Sequence, residues 1–310
     1  MSEKIVALAG GVGGAKLADG LYRVLPPDSL TVIVNTADDF EHLGLHISPD
    51  LDTVCYTLAG LANPETGWGR ADESWKALES LSSLGGPDWF RLGDRDLGTH
   101  LERTRRLKAG HSLTQITNDF CQAWGIHAKI FPMSDQPVST IVQTDEGDLA
   151  FQDYFVAGAS QPKVSGFRFA GAASAKVPSQ VLDAIASADL VLICPSNPWV
   201  SIGPILAIKE FQATLAEKRL LAVSPIIGGK AVKGPAAKMF SELGIAPSAK
   251  AVAEHYGTLL SGFVLDETDN EQLEAIRALG IMALATDTLM KSPADRQRLA
   301  KEVLEFGQSI

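Results

Sequence analysis

The start of the chain alternates between fully apolar runs and a segment that is apolar on one side only. The first run, Ile5 to Ala9, is followed directly by Gly10-Gly11-Val12-Gly13-Gly14. Apolar residues then recur every three or four positions from Leu17 to Leu25, which is the spacing of one helical face. A second apolar run, Leu30 to Val34, comes next. The order strand, glycine turn, helix, strand predicts the opening of a doubly wound α/β domain.

Four further apolar runs of strand length occur in the second half of the chain. They are Leu190 to Cys194, Leu220 to Val223, Phe263 to Leu265 and Met282 to Ala285. Each ends in a polar or glycine-rich segment, as the first two runs do. In open parallel sheets, ligands bind beyond the carboxyl ends of the strands. We therefore predict an α/β fold with a Rossmann-like, mostly parallel sheet and a single crevice at that edge.

Residues 61–125 interrupt this pattern. They contain no convincing strand, and helical patterns cover residues 74–84 and 112–124. The stretch also holds four of the five tryptophans: Trp68, Trp75, Trp89 and Trp124. We expect a small helical insertion here, with residues 1–60 and 126–310 forming the Rossmann-like domain.

A β-hairpin is predicted after this insertion. The segments Thr140 to Gln143 and Leu149 to Val156 flank Asp145-Glu146-Gly147, which is a typical turn sequence. The rest of the chain shows no internal repeat and no flexible linker.

The composition limits the class of protein and its partners. The chain has 310 residues, with 27 basic and 37 acidic side chains and a net charge of −10. Such a balance argues against general binding to nucleic acid or anionic lipid, but it allows a local basic pocket for one phosphorylated ligand. No apolar run approaches the ~20 residues that span a bilayer. Three widely spaced cysteines, Cys55, Cys121 and Cys194, are expected to be small buried residues. We expect a cytoplasmic protein.

The glycine turn is the first candidate for chemistry. Glycines let a backbone approach phosphate closely, and a helix start offers free N–H groups. The segment is not a dinucleotide fingerprint, because Lys16 stands where the last glycine belongs and Asn35 replaces the expected acid. It is not a P-loop either, since Leu17 follows the lysine. An unusual phosphate site is favoured over a purely structural turn, and an oxidoreductase is disfavoured.

An acidic cluster is the second candidate. Asp38 and Asp39 follow one predicted strand, and Asp50 and Asp52 lie a short loop later. Mg²⁺ bound through carboxylates and substrate phosphates explains such a set, whereas zinc is disfavoured by the all-oxygen ligands. The alternative for one of them is a helix cap, since Asp52 or Thr53 would precede a predicted helix from residue 54 to residue 62.

The loops after two later strands are further candidates. Ser196 and Asn197 follow one apolar run, and Ser224, Gly228 and Gly229 follow the next. Hydroxyls and glycine amides at strand ends fit a nucleotide diphosphate. Simple turn formation is the alternative.

Alternating charges mark Arg91-Leu92-Gly93-Asp94-Arg95-Asp96. A ligand-binding loop and a solvated salt-bridge loop are equally compatible with this pattern. Three histidines precede or follow it without metal-ligand spacing, so we expect solvent or core roles for them: His42, His46 and His100.

Taken together, these motifs resemble the 2-phospho-L-lactate transferase family of coenzyme F420 biosynthesis. The resemblance spans nearly the whole chain and lies in Gly10–Lys16, Asn35–Asp39, Ile47–Val54, Arg91–Asp96, Pro132–Thr140, Pro195–Leu206, Ser224–Lys238 and Asp287–Met290. It implies a Rossmann-like fold with a helical insertion, and a homodimer. It also implies Mg²⁺-dependent transfer of a phospholactyl group from a guanosine diphosphate-linked donor to the deazaflavin Fo, which yields the F420 core and GMP. Related members use enolpyruvyl or phosphoglyceryl donors, and the sequence leaves this choice open.

The resemblance also implies roles for particular residues. Asp50 and Asp52 would be catalytic and hold Mg²⁺, with Asp38 or Asp39 as further ligands. The substrates would be bound by Gly11, Val12, Gly13, Gly14, Lys16, Asn35, Thr36, Arg91, Asp94, Ser196, Asn197, Ser224, Gly228 and Gly229. Arg91 and some tryptophans would line the deazaflavin pocket. The alternative function is a nucleotide-sugar-binding regulator of the same superfamily that lacks transferase activity.

Overall fold

The computed structural model describes residues 3–310, and these contain fourteen strands and twelve α-helices. The strands are β1 (Ile5–Ala9), β2 (Leu30–Val34), β3 (Phe40–His42), β4 (Leu45–Ile47), β5 (Lys129–Pro132), β6 (Ser139–Thr144), β7 (Gly147–Ala150), β8 (Val164–Ala170), β9 (Leu190–Ile193), β10 (Leu220–Val223), β11 (Ile226–Ile227), β12 (Lys230–Ala231), β13 (Gly262–Asp266) and β14 (Met282–Thr286). The helices are α1 (Gly11–Val24), α2 (Pro49–Leu58), α3 (Lys76–Ser83), α4 (Asp94–Lys108), α5 (Leu113–Ala123), α6 (Ser179–Ala186), α7 (Gly203–Ala207), α8 (Lys209–Leu215), α9 (Ala236–Glu242), α10 (Ala249–Tyr256), α11 (Leu273–Arg277) and α12 (Pro293–Gln308).

Seven of the strands form one parallel sheet in the order β14-β13-β10-β9-β1-β2-β5. Strands β1, β2, β9 and β10 are buried along their whole length. Uniformly apolar runs fit strands that are covered on both faces. The order reverses beside β1, which pairs with β2 on one side and β9 on the other, and ligand crevices form at such a reversal. The predicted α/β fold is confirmed.

Helices cover the two faces of this sheet. Side chains of α1, α2 and α12 join those of Ala7, Val32 and Leu192 in one apolar cluster. Side chains of α6, α8, α10 and α11 join those of Leu8 and Ile193 in the other. Neighbouring strand residues thus point to opposite layers, as the pleat requires. None of the helices in the described chain is both long enough and apolar enough to cross a membrane.

The glycine turn allows α1 to start immediately beyond β1. Gly11 has φ +64°, a conformation that favours glycine. A Cβ on Gly13 would lie 2.3 Å from the carbonyl oxygen of Pro195, and one on Gly14 would lie 2.5 Å from Ser196 Oγ. The glycines therefore bring the helix N-terminus against the loop that follows β9.

Helix α2 starts earlier than predicted. It begins at Pro49, directly after Ser48, and ends at Leu58. The predicted start near residue 54 and the predicted cap at Asp52 or Thr53 are wrong, because proline is well suited to the first helical position. As a result, Asp50 and Asp52 lie in the first turn of the helix, where the dipole favours carboxylates.

The predicted hairpin is confirmed only in part. Strands β6 and β7 pair around the turn, but the second strand ends at Ala150 instead of Val156. Residues Asp153–Ala157 form a short π-helical turn, and β8, which the sequence reading missed, pairs with β6 on its other edge. Short alternating segments such as β8 carry a weak signal in a single sequence.

Residues 61–125 contain α3, α4 and α5, of which α3 and α5 match the predicted helical patterns. The loop predicted over Arg91–Asp96 is in part the beginning of α4, which starts at Asp94. The division into two domains stays a prediction. The three cysteines are buried and free of disulfides, as expected.

Candidate active site

A cavity of about 750 Å³ opens beyond the carboxyl ends of the central strands. It is bounded by the glycine turn, α2, α4 and the loops after β9 and β10. Predicted site residues that line it are Gly11, Val12, Gly13, Lys16, Asp38, Asp50, Asp52, Arg91, Ser196, Asn197 and Ser224. Those that lie outside its lining are Gly14, Asn35, Thr36, Asp39, Asp94, Gly228 and Gly229.

Asp50 is held between the glycine turn and the end of β2. Its Oδ1 accepts a hydrogen bond from the Gly11 N–H at 2.7 Å, and its Oδ2 accepts one from Asn35 Nδ2 at 2.9 Å. Asn35 therefore does not line the cavity itself but holds Asp50, which does. Burial raises the pKa of Asp50 to about 6, against the opposing effect of these two hydrogen bonds.

Asp38 is a second buried carboxylate at the same wall. Its Oδ1 has no hydrogen-bond partner among the described residues. Burial, followed by the negative charges of Asp50 and Asp39, raises the pKa of Asp38 well above its ordinary value. A buried carboxylate oxygen without a partner is costly, and a divalent cation would satisfy it. Asp38 and Asp50 thus fit an oxygen-ligated cation.

Asp39 lies beside this pair and is engaged by the protein through one oxygen, while its Oδ1, like that of Asp38, has no hydrogen-bond partner among the described residues. Its Oδ2 accepts a hydrogen bond from Ser48 Oγ at 2.7 Å and lies 3.1 Å from His46 Nε2. Burial raises the pKa of Asp39, while His46 and Ser48 act in the opposite direction. Its contacts tie the end of β2 to the start of α2.

Asp52 forms a buried ion pair with Arg103 of α4. Both carboxylate oxygens of Asp52 accept hydrogen bonds from the guanidinium, and both side chains are almost fully buried. Oxygen and nitrogen atoms of Asp52, Asp96 and His100 lie within 4.8 Å of one another, which is compatible with a metal site. The guanidinium already occupies the Asp52 carboxylate, so the pair of Asp38 and Asp50 fits a cation better.

Groups suited to anionic ligands line the cavity beside the sheet. The first turn of α1 leaves backbone N–H groups without helical partners. Lys16, one turn further, donates to the Met290 carbonyl oxygen at 2.9 Å. Burial lowers the pKa of Lys16, and the positive charges of Arg296 and Lys233 act in the same direction. The concentration of positive charge fits a diphosphate.

Several predicted residues support loops. Ser224 Oγ donates to the Ile226 carbonyl oxygen at 2.9 Å and closes the turn after β10. The Gly228 N–H donates to Asp269 Oδ2 at 2.9 Å. Ser196 Oγ accepts the Gly10 N–H at 3.1 Å, and the Asn197 side chain accepts the N–H of Trp199.

Within the Arg91–Asp96 segment, Asp94 stabilises a neighbouring helix, whereas Arg91 lines the cavity. Asp94 accepts hydrogen bonds from Ser74 Oγ at 2.5 Å and from the Ala77 N–H at 3.0 Å, so it caps the start of α3. These hydrogen bonds hold the pKa of Asp94 below its ordinary value, and Asp94 is not part of the cavity lining. Arg91 lines the cavity, and its guanidinium lies 4.5 Å from the centre of the Trp75 ring.

Sequence reasoning missed part of the lining. His100, which was assigned a solvent or core role, is buried and also faces the cavity. The i, i+4, i+7 spacing of Asp96, His100 and Arg103 on α4 is the signal that would have found this polar face. Other lining residues that the sequence analysis does not predict include Tyr56, Phe90, Phe151, Gln152 and Phe155. Of the insertion tryptophans, Trp68 and Trp89 line the cavity, whereas Trp124 packs against Tyr56.

Proteins of similar sequence carry two related activities in their names. A phosphoenolpyruvate transferase of Thermobifida fusca is 44% identical, with 99% of this chain and 98% of that protein covered. A 2-phospho-L-lactate transferase of Methanosarcina acetivorans is 42% identical, with 99% and 100% covered. A 2-phospho-L-lactate transferase of Methanopyrus kandleri is 41% identical, with 100% and 99% covered.

A solved structure shares the fold at much lower identity. It is a member of the UPF0052 family from Bacillus halodurans, with a TM-score of 0.67 and 14% identity. The alignment covers 98% of this chain and 99% of that one. The family model described as 2-phospho-L-lactate transferase CofD matches residues 5–304. This chain therefore belongs to the 2-phospho-L-lactate transferase family of coenzyme F420 biosynthesis and is a transferase.

Proposed function

We propose that the protein transfers a phospho-acyl group from a guanosine diphosphate-linked donor to a hydroxyl of the deazaflavin Fo, with Mg²⁺ bound in the cavity. The hydroxyl oxygen forms a bond to the phosphorus that bears the acyl group. The bond from that phosphorus to the bridging oxygen breaks, GMP leaves with the bridging oxygen, and the hydroxyl proton is released. The observation that carries the proposal is the pairing of Asp38 and Asp50 beside the N-terminus of α1.

Asp38 and Asp50 are the residues that would hold Mg²⁺. When bound, the ion would neutralise charge on the phosphates during transfer. Asn35 and the Gly11 N–H fix the orientation of Asp50, because each donates to a different oxygen of its carboxylate. Phosphoryl transfer depends mainly on positioning and on neutralising charge, and this pre-set carboxylate meets the first need.

The donor's diphosphate is assigned to the glycine turn. The N–H groups of Val12 and Gly13 and the ammonium of Lys16 are the donors available to phosphate oxygens on this side. Ser196 and Asn197 lie beside them after β9 and are assigned to the nucleoside part. The substrate contacts predicted for Gly14, Thr36, Gly228 and Gly229 stay predictions, because these residues lie outside the cavity lining.

Fo is assigned to the part of the cavity bounded by α2, α4 and the residues before α4. Aromatic side chains there offer faces for a planar tricyclic ring: Trp68, Trp89 and Phe90. Arg91 lies at the same wall, braced on the Trp75 ring. A mostly apolar region next to a cation-binding one suits a large, planar acceptor that carries no phosphate.

The acyl group of the donor is open between lactyl, enolpyruvyl and phosphoglyceryl, since relatives of similar identity carry two different names. The test is incubation of the protein with Fo, Mg²⁺ and each of the three donors, read by mass spectrometry. One donor is expected to give a phospho-acyl Fo and GMP, and EDTA is expected to abolish the product. If a folded protein gives no product with any of the three donors, the proposal is contradicted and a binding regulator is favoured.

The homodimer implied by the resemblance stays a prediction, which light scattering of the pure protein tests. The cytoplasmic location is a prediction as well.

A further inference from the structure

Asp96 presents a fixed carboxylate to the cavity. It lies in the first turn of α4, and 15% of its side chain is exposed. Its Oδ1 accepts a hydrogen bond from Tyr56 Oη at 2.6 Å and lies 3.3 Å from His100 Nε2. No hydrogen bond reaches Oδ2 from residues 3–310. One oxygen is thus held by the protein, and the other is left for a ligand.

The neighbouring side chains fix the proton on His100. Arg103 Nη1 lies 3.2 Å from His100 Nδ1, and a guanidinium can only donate, so Nδ1 is an acceptor. The ring proton is therefore on Nε2, which faces Asp96. Arg103 also pairs with Asp52, whereas the Asp96 carboxylate forms no ion pair with a lysine or arginine of residues 3–310.

A negative carboxylate at this place selects between the two substrates. It repels phosphates, and the donor carries two of them, whereas Fo carries none. Along α2, Tyr56 lies six residues after Asp50, which is about 9 Å at 1.5 Å per residue. An acceptor whose reactive hydroxyl lies near Asp50 would thus reach Asp96 with a second polar group.

We propose that Asp96 Oδ2 accepts a hydrogen bond from an O–H or N–H group of the acceptor, and that Tyr56 and His100 are positioning residues for it. The inference rests on the proposed function, because that function supplies an acceptor without phosphate.

The variant Asp96→Asn tests the inference with little disturbance of the fold. Its amide oxygen can still accept the hydrogen bond from Tyr56, while its NH₂ group replaces the free oxygen and faces the cavity. A charged acceptor thus becomes a donor. We expect the Kd and KM for Fo to rise roughly 10- to 100-fold, the range for losing a hydrogen bond to a charged group. The donor KM and the Kd for GMP are expected to stay within a factor of ~2, since losing a contact raises only the KM of the substrate that made it.

Tyr56→Phe removes only the group that fixes Oδ1. It is expected to weaken Fo binding less than Asp96→Asn does, and again without changing the donor KM. Glu102→Gln, an exposed change on the outer side of α4, is the matched control. Fluorescence titration with Fo measures Kd, and melting temperatures check that each variant is folded.

The outcomes separate the inference from the function. Wild-type Fo affinity in folded Asp96→Asn and Tyr56→Phe would overturn the inference and leave the proposed function intact. An equal loss of donor and acceptor binding would also overturn it, because a general structural role would explain that result. No binding of Fo to the wild-type protein would overturn both.

Discussion

Replacing Asp50 by asparagine should stabilise the cation-free protein at neutral pH while abolishing turnover. Burial raises the pKa of Asp50 to about 6, so the folded chain holds a proton there that the unfolded chain releases near pH 3.8. Because the folded state binds more protons, the free energy of unfolding falls as the pH rises from about 4 to about 6. Above about pH 6, the free energy of unfolding of the wild-type protein has lost the whole contribution of this proton.

The size of the effect follows from the shift. A rise from 3.8 to about 6 is close to two pH units, or about 3 kcal/mol at 1.36 kcal/mol per unit. Asparagine does not titrate. The free energy of unfolding of Asp50→Asn, relative to that of the wild type, should therefore increase by about that amount between acid and neutral pH. Its amide cannot accept from both Gly11 and Asn35, which shifts the whole curve by about 1 kcal/mol without changing its slope.

Urea unfolding of both proteins in EDTA, at intervals from pH 4.5 to pH 7.5, measures this difference. Glu305→Gln, an exposed change on α12, should give a difference that is flat with pH. Added Mg²⁺ should favour the wild type and reverse the gain of the variant at neutral pH. If the difference in free energy of unfolding between Asp50→Asn and the wild type is constant with pH, or falls as the pH rises, the claim that burial raises the pKa of Asp50 is refuted.

Three further variants test the supports of the site. Arg103→Ala leaves the Asp52 carboxylate buried without a partner, so it should lower the free energy of unfolding by about 3–5 kcal/mol in urea, and Asp52→Asn in the same chain should recover part of the loss. Gly13→Ala should abolish turnover or folding, since its Cβ would lie 2.3 Å from the Pro195 carbonyl oxygen; a fully active, stable variant would contradict this packing. Asp94→Ala should lower the melting temperature by a few degrees and leave the Kd for Fo unchanged, because Asp94 caps α3 outside the cavity. Weaker Fo binding at an unchanged melting temperature would instead support the predicted substrate contact.

The sheet could be predicted because its strands are uniformly apolar and end in glycine or polar turns. Buried parallel strands such as β1 and β9 can be recognised from their continuous apolar runs, without knowing which strands they pair with. Strand β8 is exposed in part and alternates irregularly, so its place beside β6 depends on contacts that a single sequence does not display. The start of α2 is predicted too late because the cap is placed at Asp52 or Thr53, whereas the helix begins at Pro49, a residue well suited to the first helical position.

The acidic cluster could be predicted, but the division of labour within it could not. Asp38, Asp50 and Asp52 all line the cavity, as the spacing suggested. Asp52 forms its ion pair with Arg103 of α4, which lies 51 residues further along the chain, and no local sequence pattern reveals that pairing. Asp94 and Asp96 are two residues apart on one motif, yet the start of α4 turns one toward α3 and the other toward the cavity.

The most direct test of the account is a crystal structure of the protein soaked with Mn²⁺ and Fo, with the anomalous signal of the metal recorded. The account predicts one anomalous peak bounded by Asp38 and Asp50, with the deazaflavin ring beside Trp89 and Arg91. A peak held by Asp52, Asp96 and His100 would contradict it, as would a crystal of active protein with Fo bound elsewhere.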